Sequence, residues 1–193
     1  QFTGIGSNGL STYKDVIADG ESLDNDRSAV GTALPDVLYA FYLNLNYKDF
    51  DLGFNFNGVS GNKIYNHTTM SLFSTSQLGR NLNTTDFATR FTNEDNSNAN
   101  EVSTRYLEDG SFLRLNNATL GYSLNPQSIG LGDFVSNIRL SLTGQNLLVI
   151  SDYSGFDPEV NTGGDIGGVQ TFGIDRFTYP MPRTILFGLN ASF

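Results

Sequence analysis

The feature that most constrains this sequence is a strict alternation of apolar and polar residues in several strand-length segments. Successive side chains of a β-strand point to opposite faces, so an alternating segment forms a strand with one apolar face. The segment Thr184–Phe193 shows the pattern most plainly. Its apolar parity holds Ile185, Phe187, Leu189, Ala191 and Phe193. The sequence therefore predicts an all-β fold.

Four earlier segments share this alternation, namely residues 38–47, 50–58, 111–124 and 137–150. The first two lie on either side of Lys48–Asp49, which predicts a hairpin with a tight turn. In the third segment the apolar parity changes after Leu115, so we expect a β-bulge near Asn116–Asn117. Together the five segments predict an antiparallel sheet.

Composition excludes several classes of function. The formal net charge of -9 argues against nucleic acid as a partner, because phosphate binding needs clustered Lys and Arg. The chain has no Cys, which excludes disulfides and thiolate metal sites. No apolar run approaches the roughly 18–20 residues of a transmembrane helix. Half-apolar strands of a membrane β-barrel remain compatible with the mean hydropathy of -0.23.

The connections between the predicted strands are asymmetric. The long ones, residues 1–36, 61–110 and 151–180, fall at one end of the sheet and are predicted to be loops, with a short helix suggested at 86–91. The shorter links, Lys48–Asp49 and 125–136, fall at the other end. Outer-membrane barrels have long extracellular loops and short periplasmic turns. Aromatic residues at the short-link end fit an interfacial girdle: Tyr47, Phe50, Tyr122 and Phe193.

A soluble β-sandwich is the alternative interpretation of the same alternation. The polar faces of the predicted strands are rich in Asn, Ser, Thr and Gly and poor in Lys and Glu, whereas a soluble sandwich usually carries charge on its outer face. The pattern favours a polar lumen and a lipid-facing surface. A secreted sandwich would bind glycans, with Tyr13, Tyr153 and Phe156 as stacking platforms.

Several segments resemble SusC/RagA-type TonB-dependent transporters of Bacteroidetes outer membranes. The similarity is carried by YLEDGSFLRLNNATLGYSL (106–124), GQNLL (144–148), YSGFDPEVN (153–161) and YPMPRTILFGLNASF (179–193). Residues 13–31 and 47–66 resemble earlier segments of the same family, in the same order. Gly188 and Phe193 match the spacing of the C-terminal signal by which such barrels are recognised for assembly.

The resemblance implies a transporter and not an enzyme. Such proteins are 22-stranded barrels with an N-terminal plug, capped by a SusD-like surface lipoprotein, and they import oligosaccharides or peptides with energy from TonB. The chain starts at Gln1 and has five clear strands with no plug or TonB box, so we expect a fragment. Residues 1–193 would be the C-terminal part of the transmembrane antiparallel barrel, contacting the remaining strands and outer-membrane lipid or lipopolysaccharide.

The acidic segment 15–26 is a candidate calcium loop. Numbered as an EF-hand loop from Asp15, it places Gly20 at the turn position and oxygen ligands at Asp15, Asp19, Glu21 and Asp26. Ile17 stands where a ligand is expected, and position 12 is the shorter Asp. A solvated acidic loop is the alternative.

Three further motifs carry no functional prediction. GIGSNG at 4–9 matches a dinucleotide-binding pattern, but no apolar strand precedes it and no helix pattern follows. Asp157 and Glu159 are neighbours in a loop and cannot oppose one another across a substrate. His67 is the single His, so it cannot form a typical catalytic metal site.

Overall fold

The computed structural model describes residues 1–20, 25–72, 93–95, 98, 101–131, 134–160, 165–166, 169–170 and 172–193. The helix suggested at 86–91 lies outside these residues. The chain forms two compact units, the first of residues 1–35, 61–110 and 153–179 and the second of residues 36–60, 111–152 and 180–193. No helix in the described part of the chain is long and apolar enough to cross a membrane.

The described elements follow in chain order. They are β1 (Phe2–Ile5), β2 (Ser11–Tyr13), β3 (Val37–Tyr47), β4 (Phe50–Ser60), β5 (Lys63–Asn66), α1 (His67–Leu72), β6 (Leu107–Asp109), β7 (Phe112–Leu124), β8 (Asn137–Ser151), β9 (Asp165–Ile166), β10 (Val169–Gln170), β11 (Ile174–Asp175) and β12 (Thr184–Ser192). Short 3-10 helices span Thr104–Tyr106 and Pro126–Ile129.

The second unit is a single antiparallel sheet with the strand order β12-β8-β7-β4-β3. The five predicted strands and the hairpin at Lys48–Asp49 are confirmed, and Lys48 has the left-handed φ of 53° that a tight turn requires. The predicted bulge is also confirmed, because the register of β7 shifts between Leu115 and Asn117. This shift keeps Leu115 and Ala118 on the same face despite their opposite parity.

Cross-strand pairing sorts the side chains of this sheet into rows. Six apolar rows follow one face: Ala191–Ile138–Leu124, Leu189–Leu140–Tyr122–Phe50–Tyr47, Phe187–Leu142–Leu120–Leu52–Leu45, Ile185–Gly144–Ala118–Phe54–Leu43, Leu148–Leu115–Phe56–Phe41 and Ile150–Leu113–Gly58–Tyr39. Several of their side chains are highly exposed, with Phe187 at 86%. A sandwich would cover such a face with a second sheet, but the described strands of this unit form one sheet only.

On the opposite face an ion pair reaches across a strand. Arg139 of β8 donates from Nε to Oδ1 of Asp51 in β4 at 3.0 Å, and its terminal nitrogen donates to the other carboxylate oxygen. Gly121 of β7 lies between them and is the register partner of both Asp51 and Ser141. A Cβ at Gly121 would meet both charged groups, so the glycine leaves room for the pair.

A second glycine of the sheet lies under an aromatic ring. Tyr39 is the register partner of Gly58, and its hydroxyl donates to the backbone oxygen of Phe112 at 2.8 Å. A Cβ at Gly58 would meet both the ring and that oxygen. The ring therefore fills the space that a side chain at this position would need.

The two glycines should respond differently to the same substitution. We expect Gly58→Ala to lower the free energy of unfolding by about 1–3 kcal/mol, because backbone and a fixed ring must move. Gly121→Ala should cost less than about 1 kcal/mol, because it displaces only the flexible ends of a partly exposed ion pair. Denaturant unfolding followed by circular dichroism measures both, and equal losses would contradict the distinction.

The first unit contains regular structure that the sequence analysis assigned to loops. Strands β1 and β2 form a hairpin, β9 and β10 form another, and β5 lies between β11 and β6 in a three-stranded sheet. The loop prediction for residues 1–36, 61–110 and 151–180 was therefore wrong in part. These strands are only two to four residues long, too short for alternation to show in the sequence. The glycines of 4–9 belong to the β1–β2 hairpin.

Candidate functional site

The acidic loop of the first unit folds around its own backbone. Both oxygens of Asp15 accept backbone hydrogen bonds, one from Ala18 and the other from Gly20 at 3.1 Å. Gly20 has a φ of 73°, a left-handed conformation that glycine adopts readily. Asp19 accepts a hydrogen bond from the side chain of Asn25 at 2.8 Å. These carboxylates thus stabilise the loop through local hydrogen bonds.

Asp26 stabilises the same loop through hydrogen bonds to its backbone. Its side chain is buried, and Oδ1 accepts hydrogen bonds from the amides of Val16 at 2.8 Å and Ile17 at 3.1 Å. Within the described residues no hydrogen bond is formed by Oδ2 of this carboxylate. The carboxyl group is therefore held in one orientation with one oxygen available.

The predicted calcium site stays a prediction. Glu21, one of its four proposed ligands, lies outside the described residues. In the described part of the chain no group of three or more His, Cys, Asp and Glu side chains is placed to hold a metal ion. Hydrogen bonds to backbone amides account for the positions of Asp15 and Asp26.

Calcium titration of the purified protein tests this hypothesis. If the loop binds Ca²⁺, Asp19→Ala should weaken the binding measured by calorimetry at least about tenfold, because an oxygen ligand is lost. Asp36→Ala, outside the loop, is the matched control and should leave the affinity unchanged. Equal calcium binding by both variants would exclude the loop as the site.

A buried ion pair connects two separate segments of the first unit. Arg105 donates to both carboxylate oxygens of Glu94, at 2.9 and 2.6 Å, and the side chains are only 4% and 0% exposed. The guanidinium lies 5.3 Å from the ring centroids of Phe2 and Tyr106. Burial disfavours the charged form, but the hydrogen bonds to Glu94 and the charge interactions with Tyr106, Glu94 and Tyr13 together raise the pKa of Arg105. Arg105 is therefore charged at every physiological pH.

A second polar network joins the three-stranded sheet to residues 153–160. Asn66 is fully buried, donates to Glu108 at 2.9 Å and accepts from the amide of Thr69 at 2.8 Å. Ser154 donates to the same glutamate from its amide and its hydroxyl, each at 2.8 Å. Glu108 is therefore the acceptor that joins β5, β6 and this segment. Such satisfied networks fix a single packing arrangement.

Tyr153 belongs to the interior of the first unit. It is 8% exposed, and its hydroxyl donates to Oδ2 of Asp175 at 2.5 Å. Burial, with the Asp175 hydrogen bond, raises the pKa of Tyr153. The proposed use of Tyr153 as a stacking platform was therefore wrong, because its ring is covered. Phe156 is 77% exposed, and Tyr13 is half-buried.

His67 begins α1 and is partly buried. Its Nδ1 lies 3.2 Å from the hydroxyl of Ser71, and its ring packs edge-on against Phe177. Partial burial lowers the pKa of His67, the charge of Arg176 lowers it further, and Asp175 partly opposes the shift. The folded state therefore binds a proton less readily than the unfolded state, whose His pKa is near 6.5.

This shift predicts an acid sensitivity in α1. Stability should be fully present above about pH 6.5 and should fall as the pH drops through the lowered folded-state pKa. His67→Gln should make the hydrogen-exchange protection of α1 independent of pH between about 7 and 5. The same loss of protection on acidification in wild type and variant would contradict a role for His67.

A cleft of about 240 Å³ lies beside Asp26 in the first unit. Its lining includes two aromatic rings, two cationic and two anionic side chains: Tyr13, Tyr65, Lys14, Arg27, Asp26 and Glu101. An adjoining hollow of about 160 Å³ shares Val30, Tyr65 and Leu107 with the cleft. The sequence analysis missed this site, because its walls come from residues far apart in the chain. Of its lining residues, only Tyr13 and Asp26 were singled out, the first as a stacking platform and the second as a calcium ligand.

The proposed assembly-signal residues lie at the end of the five-stranded sheet. Gly188 is in β12, opposite Ser141, and a Cβ there would meet the serine hydroxyl. Phe193 directly follows β12 and is 92% exposed.

Asp157, in the first unit, accepts a hydrogen bond from the amide of Glu159 at 2.9 Å, so this acidic pair forms a turn.

Comparison with known proteins places the chain among TonB-dependent receptors. It is 34% identical over 96% of its length to TonB-dependent receptor P26 of Formosa agariphila, covering 20% of that protein. It is 28% identical over 98% of its length to TonB-dependent receptor SusC of Bacteroides thetaiotaomicron, again covering 20%. All of it superposes on 22% of a chain of the RagAB peptide importer in its closed-closed state, with a TM-score of 0.76 and 22% identity. No family model matches the sequence.

The chain is part of a TonB-dependent receptor of the SusC/RagA type. It spans about a fifth of the length of the curated relatives that it matches. This family belongs to Bacteroidetes-type outer membranes and to transport, not to enzymes, as the sequence predicted. The mostly β fold matches part of a RagA-type barrel, and closure of a barrel is not seen within the described residues.

Proposed function

We propose that this chain is the C-terminal part of the barrel of an outer-membrane importer. The second unit supplies five membrane-spanning strands, and the first unit is formed by extracellular loops. The observation that carries the proposal is the series of six apolar rows on one face of the sheet, with mostly polar residues on the opposite face. Such an exposed face is stable where lipid covers it.

The height of the apolar face supports a membrane role. Along β3 and β4 neighbouring rows are two residues apart, or about 6.8 Å. A tilt of about 40° reduces this to about 5 Å of height per row, so the six rows extend over about 26 Å. The lipid-facing band of outer-membrane barrels is about 25 Å tall. The outermost strands, β12 and β3, would pair with the remaining strands of a 22-stranded barrel.

The partners follow from the family. The plug and the TonB-contacting segment would lie in the preceding part of the receptor, and a SusD-like surface lipoprotein would close the barrel from outside. The substrate would be an oligosaccharide or a peptide, and RagAB, which shares the fold, is a peptide importer. Gly188 and Phe193 would direct assembly of the barrel, and the apolar face would contact outer-membrane lipid.

Purification from the native outer membrane tests the proposal. The polypeptide containing these residues, extracted in detergent, should have a mass several times 21.1 kDa and should co-purify with a lipoprotein. Deleting its gene should abolish uptake of one nutrient class while leaving uptake of monosaccharides intact. A soluble polypeptide that carries these residues without detergent would contradict the proposal.

A further inference from the structure

We propose that Arg183 binds a phosphate group of lipid A, the membrane anchor of lipopolysaccharide, in the outer leaflet. The acyl chains of the same lipid would cover the apolar face beside it, where the side chains of Leu148 and Ile185 are exposed. This inference rests on the proposed membrane role of the second unit. It adds a site that recognises one lipid through its charged headgroup.

Arg183 lies near the outer edge of the apolar face. It directly precedes β12, whose first residue, Thr184, pairs with Gln145 of β8. By alternation its side chain shares the side of Ile185 and falls at the level of the Leu148 row, the fifth of the six. With the long loops outside, one further row, or about 5 Å of height, separates it from the outer interface. A guanidinium on its flexible stem can reach that interface, where the phosphates of lipid A lie.

The sheet has an open corner at this level. Strand β8 continues to Ser151, but β12 pairs with it only as far as Gln145. The two upper apolar rows therefore begin with the exposed side chains of Leu148 and Ile150. A lipid molecule at this corner can place its acyl chains against these side chains and its headgroup beside Arg183.

The backbone that leads into Arg183 is held by a left-handed residue of β8. Between its pairs with Asn117 and Leu115 of β7, β8 has two residues where β7 has one. The first of the two, Asn146, has a φ of 53°, and its Nδ2 donates to the backbone oxygen of Pro182 at 3.1 Å. The ring of Pro182 restricts the backbone further. The arginine is thus positioned before a ligand arrives, which lowers the entropy lost on binding.

The charges of the second unit leave Arg183 in need of an anion. The unit has four basic residues, of which three contact a carboxylate or an aromatic ring: Arg139, Arg114 and Lys48. Arg183 is exposed and forms no ion pair with the residues that the structure describes. A cationic side chain on the lipid-facing surface is costly unless its charge is compensated. A phosphate group supplies the counter-charge, and the planar guanidinium can donate to two of its oxygens at once.

Lipid binding to the full-length receptor, purified with its partners in detergent, tests the inference. The probes are lipid A, dephosphorylated lipid A and phosphatidylglycerol, and native mass spectrometry counts the lipid molecules retained. We expect Arg183→Gln to retain one molecule of lipid A fewer than wild type, while both retain equal amounts of the dephosphorylated form. Arg183→Lys should retain an intermediate amount, because the charge remains but the paired hydrogen bonds are lost.

Lys48→Gln is the matched control. It removes a charge of the same sign at the opposite end of the sheet, in the turn between β3 and β4. Lipopolysaccharide occupies the outer leaflet only, so this variant should retain as much lipid A as wild type does.

The outcomes separate this inference from the proposed function. A receptor that is found in the outer membrane with its lipoprotein, yet retains as much lipid A after Arg183→Gln, overturns the phosphate site alone. Equal loss of lipid A and of its dephosphorylated form would mean contact through acyl chains only and also overturns it. Phosphatidylglycerol retained as well as lipid A, and lost in Arg183→Gln, overturns the choice of lipid A. A polypeptide that is soluble without detergent overturns both.

Discussion

Leu142→Arg should prevent the five-stranded sheet from assembling stably in a membrane, whereas Thr143→Arg should be tolerated. Leu142 of β8 belongs to one of the apolar rows, in which it pairs with Phe187 of β12 and Leu120 of β7. A cationic side chain at mid-membrane on the lipid face of a barrel costs about 2–4 kcal/mol. Thr143 pairs with Thr119 on the opposite face, where a charge can remain solvated.

Comparing the two variants tests which face of β8 meets lipid, because each variant places an arginine on a different face. Both substitutions introduce the same side chain at neighbouring residues of β8, so the main difference between them is the face that the arginine occupies. Thr143→Arg also loses the 2.9 Å hydrogen bond to Thr119, which contributes roughly 0.5–1.5 kcal/mol. Receptor level in the outer-membrane fraction, and the heat needed to unfold it on a gel, measure the result. Equal loss for the two variants would contradict the assigned faces.

The strands of the second unit could be predicted because their information is local. Each long strand carries its own alternation, and the turn at Lys48–Asp49 and the change of parity at Asn116 are visible within a few residues. The register then follows, since slipping one strand by one residue would move its apolar set to the polar face. The sequence analysis therefore located the strands, the hairpin and the bulge.

The regular structure of the first unit could not be predicted, because it depends on contacts between residues that are far apart in the chain. Ile174–Asp175 pairs in parallel with Tyr65–Asn66, more than a hundred residues earlier, and each of these strands is very short. The carboxylate of Glu108 similarly accepts hydrogen bonds from two separate segments, at Asn66 and at Ser154. No periodicity in the sequence reports such pairings, so the segments were assigned to loops.

The candidate site shows the same division. The spacing of Asp15, Gly20 and Asp26 was visible in the sequence, and Gly20 has a left-handed φ of 73°. The partners of the carboxylates were not visible, because backbone amides have no sequence signature. The cleft combines Tyr13, Tyr65 and Glu101, which no motif connects.

The second large effect should come from Arg105. Removing it by Arg105→Ala leaves the fully buried carboxylate of Glu94 without its counter-ion, which typically costs about 3–5 kcal/mol. Because this pair connects residues 93–95 to the Thr104–Tyr106 helix, the loss should appear as reduced hydrogen-exchange protection in both segments. The β1–β2 hairpin should lose protection with them, since Ser11 and Arg105 are also hydrogen-bonded.

Two comparisons show whether burial of the charge is the cause. Lys63→Ala breaks the ion pair with Asp109, whose partners are 38% and 44% exposed, and should cost no more than about 1 kcal/mol. Replacing both charges in Arg105→Met with Glu94→Met removes the unpaired charge and should recover most of the stability lost in Arg105→Ala. The double variant has no unpaired charge, but it also lacks the hydrogen bonds of the pair. If its hydrogen-exchange protection is as low as that of Arg105→Ala, the stability comes from the geometry of these hydrogen bonds and not from charge compensation.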